Sequence, residues 1–463
     1  MAGVVVIGAG VGGLAVAARL AAAGHAVTVF EQAATVGGKL GRFARDGFLF
    51  DTGPSLFTLP QVAAELVDLD LVRLDPVVRH RFADGSTIDT SSDFHAALGA
   101  EAAEDWQRLW KRAARVWETS WRHVLTSTVD SPLRIAALAW RLPDLMAIAP
   151  GRTLRDIGRR HLRDPRLRML LDRYATYAGA DPRRAPAALL AIPYAELHYG
   201  GWYLRGGLGT LADALLARCV DLGVRVELGT AVTAIITAGS AISGVRLDDG
   251  TFVAADVVVS NADALQVYRD LLPTPRRATK LRERSLGGFV LLLGVRGRTP
   301  EMTHHNVFFP ADYDAEFDAV FGGRLAEDPT LFVTVPNDPA VAPPGHEAWF
   351  VLVNAAPSTT VDWTNPVPYA DHILRVLAER GPDVRDRVLF REIRTPLDLE
   401  RATMTPGGAI YGSPSHGLTG LLRPPNRGPV RGLFLVGGSV HPGGGLPLVM
   451  LSAKLVADRI GPA

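Results

Sequence analysis

The chain opens on the pattern that most constrains its fold. An apolar run, Val4-Val5-Val6-Ile7, leads into Gly8-Ala9-Gly10-Val11-Gly12-Gly13, then a helix-like stretch to Gly24 and a second run, Val27-Thr28-Val29-Phe30, ending in Glu31. The order reads as strand, glycine turn, helix, strand and acid. Gly8 permits the tight turn, Gly10 lets the backbone approach a pyrophosphate, and Gly13 lets helix and strand pack closely. A diphosphate sits on the backbone N–H groups at the positive end of such a helix. Glu31 falls 18 residues after Gly13, where an acid accepts hydrogen bonds from an adenosine ribose. The pattern predicts a dinucleotide-binding α/β unit; the competing reading is a glycine turn in a parallel sheet without a ligand.

Just downstream stands Gly37-Gly38-Lys39-Leu40-Gly41-Arg42. A second glycine pair with a cation behind it is not part of a plain NAD site. It resembles the extended fingerprint of FAD-dependent oxidoreductases of the amine oxidase and carotenoid desaturase superfamily. The resemblance implies that this loop brings further N–H groups to FAD and that Lys39 or Arg42 offsets pyrophosphate charge. The alternative for each is a solvated loop cation.

The chain has 463 residues, 48% apolar and 21% charged, which suits a folded protein of two or three domains. A net charge of +1 gives no sign of a nucleic-acid partner. Cys219 is the sole cysteine, which excludes an internal disulfide, a CxxC redox pair and a cysteine-rich zinc site. No metal site is expected. No second GxGxxG stands between strand and helix, which argues against a separate NAD(P) domain. No apolar run reaches about 18 residues, so a membrane-spanning helix is not expected. A nucleotide fold starting at residue 3 leaves no room for a leader, and the expected location is cytoplasmic.

The predicted fold class is α/β: a Rossmann-like FAD-binding domain, a mixed-sheet substrate domain and a helical, membrane-facing subdomain. The FAD-binding parts are placed at 1–74, 199–285 and 406–463, the substrate sheet at 75–92 and 286–405, and the helical subdomain at 93–198. Phe48 to Asp51 reads as a short strand, and Asp84-Gly85 and Asp249-Gly250 as hairpin turns. Trp106, Trp110, Trp117 and Trp121 share one helical face, read as a buried packing stripe rather than an exposed one. Residues 131–168 hold nine arginines against three acids, a local excess of +6, beside short apolar pieces containing Trp140. That composition suits a bilayer interface, with a solvated arginine-rich subdomain as the alternative. Near the C-terminus, Leu433 to Val436 reads as a strand, Gly437 to Gly445 as a loop and Leu446 onward as a helix, with Pro447 in its first turn. Free N–H groups there stabilise negative charge, such as reduced flavin carries near N1 and O2.

Four blocks resemble bacterial carotenoid desaturases of the phytoene desaturase type: residues 4–42, Phe50 to Ser55, Arg205 to Leu211, and Gly437 to Gly443. Gly407 to Gly412 with His416-Gly417 resembles the hydroxycarotenoid 3,4-desaturases more closely. The chain looks somewhat short for that family, which implies a trimmed substrate domain. The resemblance implies FAD at Gly8, Gly10, Gly12, Gly13, Glu31, Gln32, Gly38, Lys39 and Arg42; at Gly53, Pro54, Ser55, Val232 and Asn261; and at Gly438, Ser439, Leu446, Pro447 and Leu448. It also implies removal of two hydrogens from a C–C bond beside a polyene, hydride passing to flavin N5 and a proton to a base or water. His441 and Asp51 are the candidate bases; the alternative for His441 is a backbone-bonding role, Asp51 reads rather as capping its turn, and His416 is a weaker candidate. His304-His305 reads as a surface pair, because neighbouring strand residues face opposite sides. The expected partners are a lipophilic polyene and the inner face of the cell membrane. Competing functions are an amine oxidase, a polyene saturase and a non-catalytic flavin-binding partner.

Overall fold

A computed structural model describes residues 2–91, 94, 98–128 and 142–463. Five strands form a parallel sheet in the order Leu433–Leu435, Val257–Ser260, Gly3–Ile7, Ala26–Glu31, Arg225–Leu228. Its central strands are runs of valine buried on both faces, as a parallel sheet covered on two sides requires. The first helix, Val11–Ala22, packs against Thr210–Asp221 and the last helix, Leu446–Ile460. It carries Ala15, Ala17 and Ala18 fully buried, so its neighbours approach closely. Three distant parts of the sequence thus supply one sheet.

A seven-stranded sheet runs Val388–Arg394, Gly287–Arg296, His346–Ala355, Leu331–Thr334, His305–Phe308, Val78–Arg81, Thr87–Thr90. All its pairings are antiparallel except that of His305–Phe308 with Val78–Arg81. The two-residue period divides its long strands between two environments. Trp349, Val351 and Val353 pack with Ile373, Val376 and Leu377 of the covering helix Val367–Arg380. Phe350, Leu352 and Asn354, on the other face, line a cavity. The hairpin signals are met: Asp84-Gly85 joins Val78–Arg81 to Thr87–Thr90, and Asp249-Gly250 joins Ala241–Leu247 to Phe252–Ala254.

The long helix Ala100–Ser120 buries Trp106, Leu109, Ala113, Val116 and Trp117 along one stripe. Trp110 stacks 4.7 Å from Tyr194 and Trp121 5.1 Å from Trp117, so all four tryptophans pack inward. The basic segment reads differently in three dimensions. Arg134, Trp140 and Arg141 lie outside the described residues. Arg155 is buried against Asp172 and Asp314, Arg163 pairs with Asp105 and Glu101, and Arg166 with Asp164. Much of the +6 is therefore neutralised within the protein by acids, most of them outside the segment. Among the described residues no helix is long and apolar enough to cross a membrane.

Gly13 is the tightest point of the parallel sheet's first turn: a Cβ there would stand 1.9 Å from the Gly8 carbonyl oxygen. Gly13→Ala is expected to cost about 3 kcal/mol in urea unfolding, because backbone rather than a side chain must give way. Gly99→Ala, where an added carbon meets nothing within 4 Å, is expected to cost less than about 1 kcal/mol.

Candidate functional site

The glycine loop is organised by two side chains. Glu31 is buried at the end of its strand; one carboxylate oxygen accepts from the Ala9 N–H at 2.6 Å and the other from the Ala33 N–H at 2.9 Å. Each oxygen keeps a lone pair for a ribose hydroxyl. Asn261, held by its own N–H on the Ile7 carbonyl at 2.8 Å, lays its amide alongside the loop. A Cβ on Gly10 would meet that amide at 2.6 Å, and one on Gly12 at 2.5 Å. The second glycine pair closes onto the first: the Gly37 N–H donates to the Ala9 carbonyl, and a Cβ on Gly38 would lie 3.3 Å from Gly10 Cα. The helix starts at Gly10 with no side-chain cap, so its first N–H groups have no intrahelical partner. Uncapped N–H groups behind side-chain-free backbone fit a dinucleotide diphosphate. Gln32 is exposed beside Glu31, and Val232 begins the strand Val232–Ala238 opposite Leu247.

The cations are placed less simply. Lys39 is half-buried and donates to the carbonyls of Ala409 and Ile410 at 2.8 and 2.9 Å. Arg42 pairs with Asp213 at 2.6 Å and lies along Gly209. Two half-buried arginines join Lys39, a feature the sequence did not disclose. Arg284 pairs with Asp263 at 2.8 Å, and Arg423 donates to the carbonyls of Tyr411 and Ser413, both at 2.6 Å. Three cations thus share one acid. Burial, with repulsion from Arg284 and opposed by Asp263, brings Lys39 down to about 8 and Arg423 to about 10. This electropositive floor lies under the Gly437 to Gly445 loop, since a Cβ on Gly412 would stand 2.8 Å from Ser439.

That loop is pinned by Asn426, another residue missed in the sequence. Its side-chain amide donates to the carbonyls of Leu435 and His441 at 3.1 and 2.8 Å. Ser439 Oγ accepts from the Ala264 N–H at 2.9 Å. The last helix begins at Gly445 without a side-chain cap and with Pro447 in its first turn. His441 is buried; its Nε2 lies 2.8 Å from the Ser127 carbonyl and so carries the proton. Asp51 accepts from the N–H groups of Leu208 and Gly209 at 2.6 and 2.8 Å. Burial holds its carboxyl above the ordinary range, against the pull of those N–H groups and of Arg42. It caps the Arg205 to Leu211 loop, where Gly207 has φ +93°. His416 Nε2 accepts from the Asp181 N–H at 2.9 Å and its Nδ1 faces Glu283.

The His304-His305 expectation is overturned. His305 is fully buried with its ring nitrogens 3.1 Å from the Val77 and Ser55 carbonyls, and burial lowers it to about 4. His304 lies against Tyr203 at 4.6 Å. The strand's second face looks into protein rather than water, which alternation alone cannot tell. Among the described residues no His, Cys, Asp and Glu group could hold a metal ion.

The Gly53 to Ser55 turn, the Ile410-Tyr411 segment and the His441 to Leu448 loop line a cavity of about 570 Å³, which the first glycine loop, Glu31, Lys39 and Asn261 do not reach. Gly53, Pro54, Ser55 and the turn Gly443 to Leu448 form part of its wall, with Phe332, Phe350, Leu352 and Trp117 alongside. Leu421 and Leu422 also line it and are exposed, so it reaches the surface there. Its exposed wall is mostly apolar, with Asp144, Arg173, Glu196, Asn354, Arg423 and His441 among the polar side chains that interrupt it.

The chain belongs to the flavin containing amine oxidoreductase family, which it matches over residues 11–461. The 4,4'-diapolycopene oxygenase of Methylomonas sp is 33% identical, over 99% of this chain and 97% of its own length. The 1-hydroxycarotenoid 3,4-desaturase of a Flavobacterium species is 32% identical over 98% of each. The expected trimming is corrected by that coverage: the chain spans nearly the whole of these relatives. Among solved structures, an oxidoreductase from Methanosarcina mazei superposes with a TM-score of 0.72 at 20% identity, over 98% of this chain and 100% of its own. A putrescine oxidase bound to putrescine gives 0.67 at 15%, over 99% and 98%. Both show the shared fold. The chain is a flavin-containing oxidoreductase.

Lys39 gives a pH signature in the apoprotein. Its amine is lowered from 10.5 to about 8 on folding, so between those values the unfolded chain holds a proton that the folded one has released. Stability due to Lys39 is lowest below about pH 8 and rises with pH by about 1.4 kcal/mol per unit through that window. Urea unfolding of wild type and Lys39→Met, compared from pH 7 to 10.5, should show that slope in the wild type and its loss in the variant.

Proposed function

We propose that this flavoprotein holds FAD between the two ends of its chain and desaturates a long apolar polyene, a carotenoid or hydroxycarotenoid. The carrying observation is the cavity: about 570 Å³, mostly apolar, walled by one face of the mixed sheet and open at an apolar rim. Gly8, Gly10, Gly12 and Gly13 take the diphosphate, Glu31 and Gln32 the ribose, and Val232 the adenine side. Gly38, Lys39, Arg42 and Asn261 complete the diphosphate surround. Gly53, Pro54, Ser55, Gly438, Ser439, Leu446, Pro447 and Leu448 surround the flavin ring. When bound, FAD supplies the hydride acceptor.

The chain's own share is positioning and dryness. Phe332, Phe350 and Leu352 hold the polyene along the sheet face and exclude water from the cation that forms on it. His441 lines the cavity with its ring oriented by the Nε2–H held on the Ser127 carbonyl, and it is the candidate proton acceptor. An amine substrate is disfavoured by the buried Arg173 guanidinium on the same wall, which repels an ammonium group. The exposed Leu421 and Leu422 at the cavity rim, with Met146 nearby in sequence to the lining residues Asp144 and Ile148, suit contact with a bilayer that delivers the substrate. This reading places the protein at the inner face of the cell membrane.

Anaerobic mixing of the yellow holoprotein with a carotenoid should bleach the flavin and yield a product with two fewer hydrogens and a longer-wavelength spectrum. A colourless protein that cannot be reconstituted, bleaching by amines alone, a product that gains oxygen or hydrogen, or no bleaching by any polyene would each overturn the reading. His441→Ala should lower turnover roughly a hundredfold while flavin content stays full; undiminished turnover removes His441 from the chemistry. Leu422→Asp should cut co-sedimentation with anionic vesicles severalfold, and unchanged binding rejects docking through this rim.

A further inference from the structure

Desaturation yields two products besides the polyene. A hydride goes to the flavin, and a proton comes off the neighbouring carbon inside a mostly apolar space. The cavity meets the surface at Leu421 and Leu422, side chains that carry no proton. Behind another wall lies a second, smaller chamber of about 30 Å³. It shares Ser55 and Phe350 with the main cavity, and Asp51, Tyr203 and Thr334 also line it. A space of this size holds one water.

Polar groups stand in a row from the shared wall outward. Thr334 Oγ1 donates to Ser55 Oγ at 3.0 Å, which leaves the Ser55 hydroxyl hydrogen for another acceptor. Asp51 accepts the Leu208 and Gly209 N–H groups, one on each oxygen, and each oxygen keeps a lone pair. Tyr203 is close enough to Asp51 to feel its charge, and its hydroxyl donates to Asp338 at 2.9 Å. Asp338 stands between the exposed Asn337 and Pro339, so the row reaches the surface there. The two carboxyls are tuned apart. Burial holds Asp51 above the ordinary range, against its two N–H donors and Arg42. At Asp338 burial is outweighed by the N–H groups of Gly206 and Ala340, the Tyr203 hydroxyl and Arg205, and the carboxyl lies below that range. The inner acid is suited to capture a proton, and the outer one to stay ionised toward solvent.

We propose that Ser55, one water in the small chamber, Asp51, Tyr203 and Asp338 form a proton path between the main cavity and solvent. The inference rests on the desaturase reading above and adds the route by which the proton leaves. In the outward direction a C–H bond beside the polyene cation breaks, and its electron pair becomes the new double bond. The proton, taken up at the cavity wall, passes through Ser55 and the water to Asp51. Tyr203 gives its hydroxyl proton to Asp338 and takes the one that Asp51 releases, and Asp338 delivers a proton to solvent. The same row runs inward when the flavin is reduced by bare electrons, since two electrons and one proton make its anionic reduced form.

The inward direction gives a test that needs no polyene. Reduced methyl viologen, mixed with holoprotein under argon, supplies electrons without protons. Wild type should bleach in step with the uptake of one proton, read by a pH-indicator dye. Tyr203→Phe, which loses only a hydroxyl, and Asp51→Asn should each slow both signals roughly tenfold or more, with a solvent isotope effect in heavy water larger than that of wild type. Unslowed bleaching in Tyr203→Phe at full flavin content overturns the path. Slowing without the larger isotope effect marks a structural fault and overturns it too. If Asp51→Asn does not retain flavin, Tyr203→Phe decides alone. In a second arm a carotenoid replaces the viologen. Its hydride brings its own hydrogen, so the first bleaching should keep wild-type speed in Tyr203→Phe while proton release lags behind it. Bleaching by viologen but by no polyene sinks the desaturase reading and leaves the first arm to judge the path. Bleaching by the carotenoid with unslowed viologen reduction in Tyr203→Phe does the reverse.

Discussion

The contact on which the rest depends is the near-collision of Gly13 with the Gly8 carbonyl. Because neither residue has a side chain there, the first helix can descend onto the strand that precedes it, and its uncapped start is brought beside Asn261. Asn261 belongs to the neighbouring strand's exit, and Gly437 to the exit of the strand beyond. A Cβ on Gly12 would meet Val449 at 3.0 Å and Gly437 Cα at 3.4 Å, so the last helix is seated by the same close packing. The residues near the two ends of the chain meet because three glycines let three backbones share a space that side chains would fill. Parallel strands then carry the arrangement outward, since all five exit at one edge, where ligands of open α/β sheets bind.

The second sheet has a different task and a different grammar. Its central strands are nearly continuous in apolar residues, so composition alone gives two buried faces. One face closes on the helix Val367–Arg380 in an ordinary core. The other faces a cavity that the protein leaves open. A wall of phenylalanine and leucine without a packing partner forgoes dispersion contacts that a filled core would have made. On the proposed reading a long apolar ligand would restore them, so that the same sequence pattern would serve stability on one side and recognition on the other.

What could be read in advance was local. Glycine spacing, the acid at the strand end, the hairpin dipeptides and the tryptophan stripe each depend on neighbours within a few residues, and each lies in the structure as expected. What escaped was decided by partners far along the chain. Charge counting over 131–168 could not see Asp105, Asp172 or Asp314, which take up Arg163 and Arg155. His304 and His305 read as a surface pair, yet protein covers both sides of that strand. Glu196 did leave a trace: a lone acid amid Ala191, Ile192, Pro193, Ala195 and Leu197 has no reason to be there unless something buried needs it.

The electrostatics of the site follow from the same economy. Lys39, Arg284 and Arg423 share only Asp263, and the desolvation of so much positive charge opposes folding. The protein limits that cost with carbonyls: Ala409, Ile410, Tyr411 and Ser413 each accept from one of these cations. Carbonyl dipoles solvate a cation without cancelling its charge, so the field above the loop stays positive. The last helix adds its own positive end from Gly445. A ring system lying there would be easier to reduce than in water, because the added negative charge meets fixed donors that need not reorganise. Neutralising the cluster with more carboxylates would have stabilised the fold and removed that bias. The partial solvation by backbone therefore lets the loop fold while leaving its field positive.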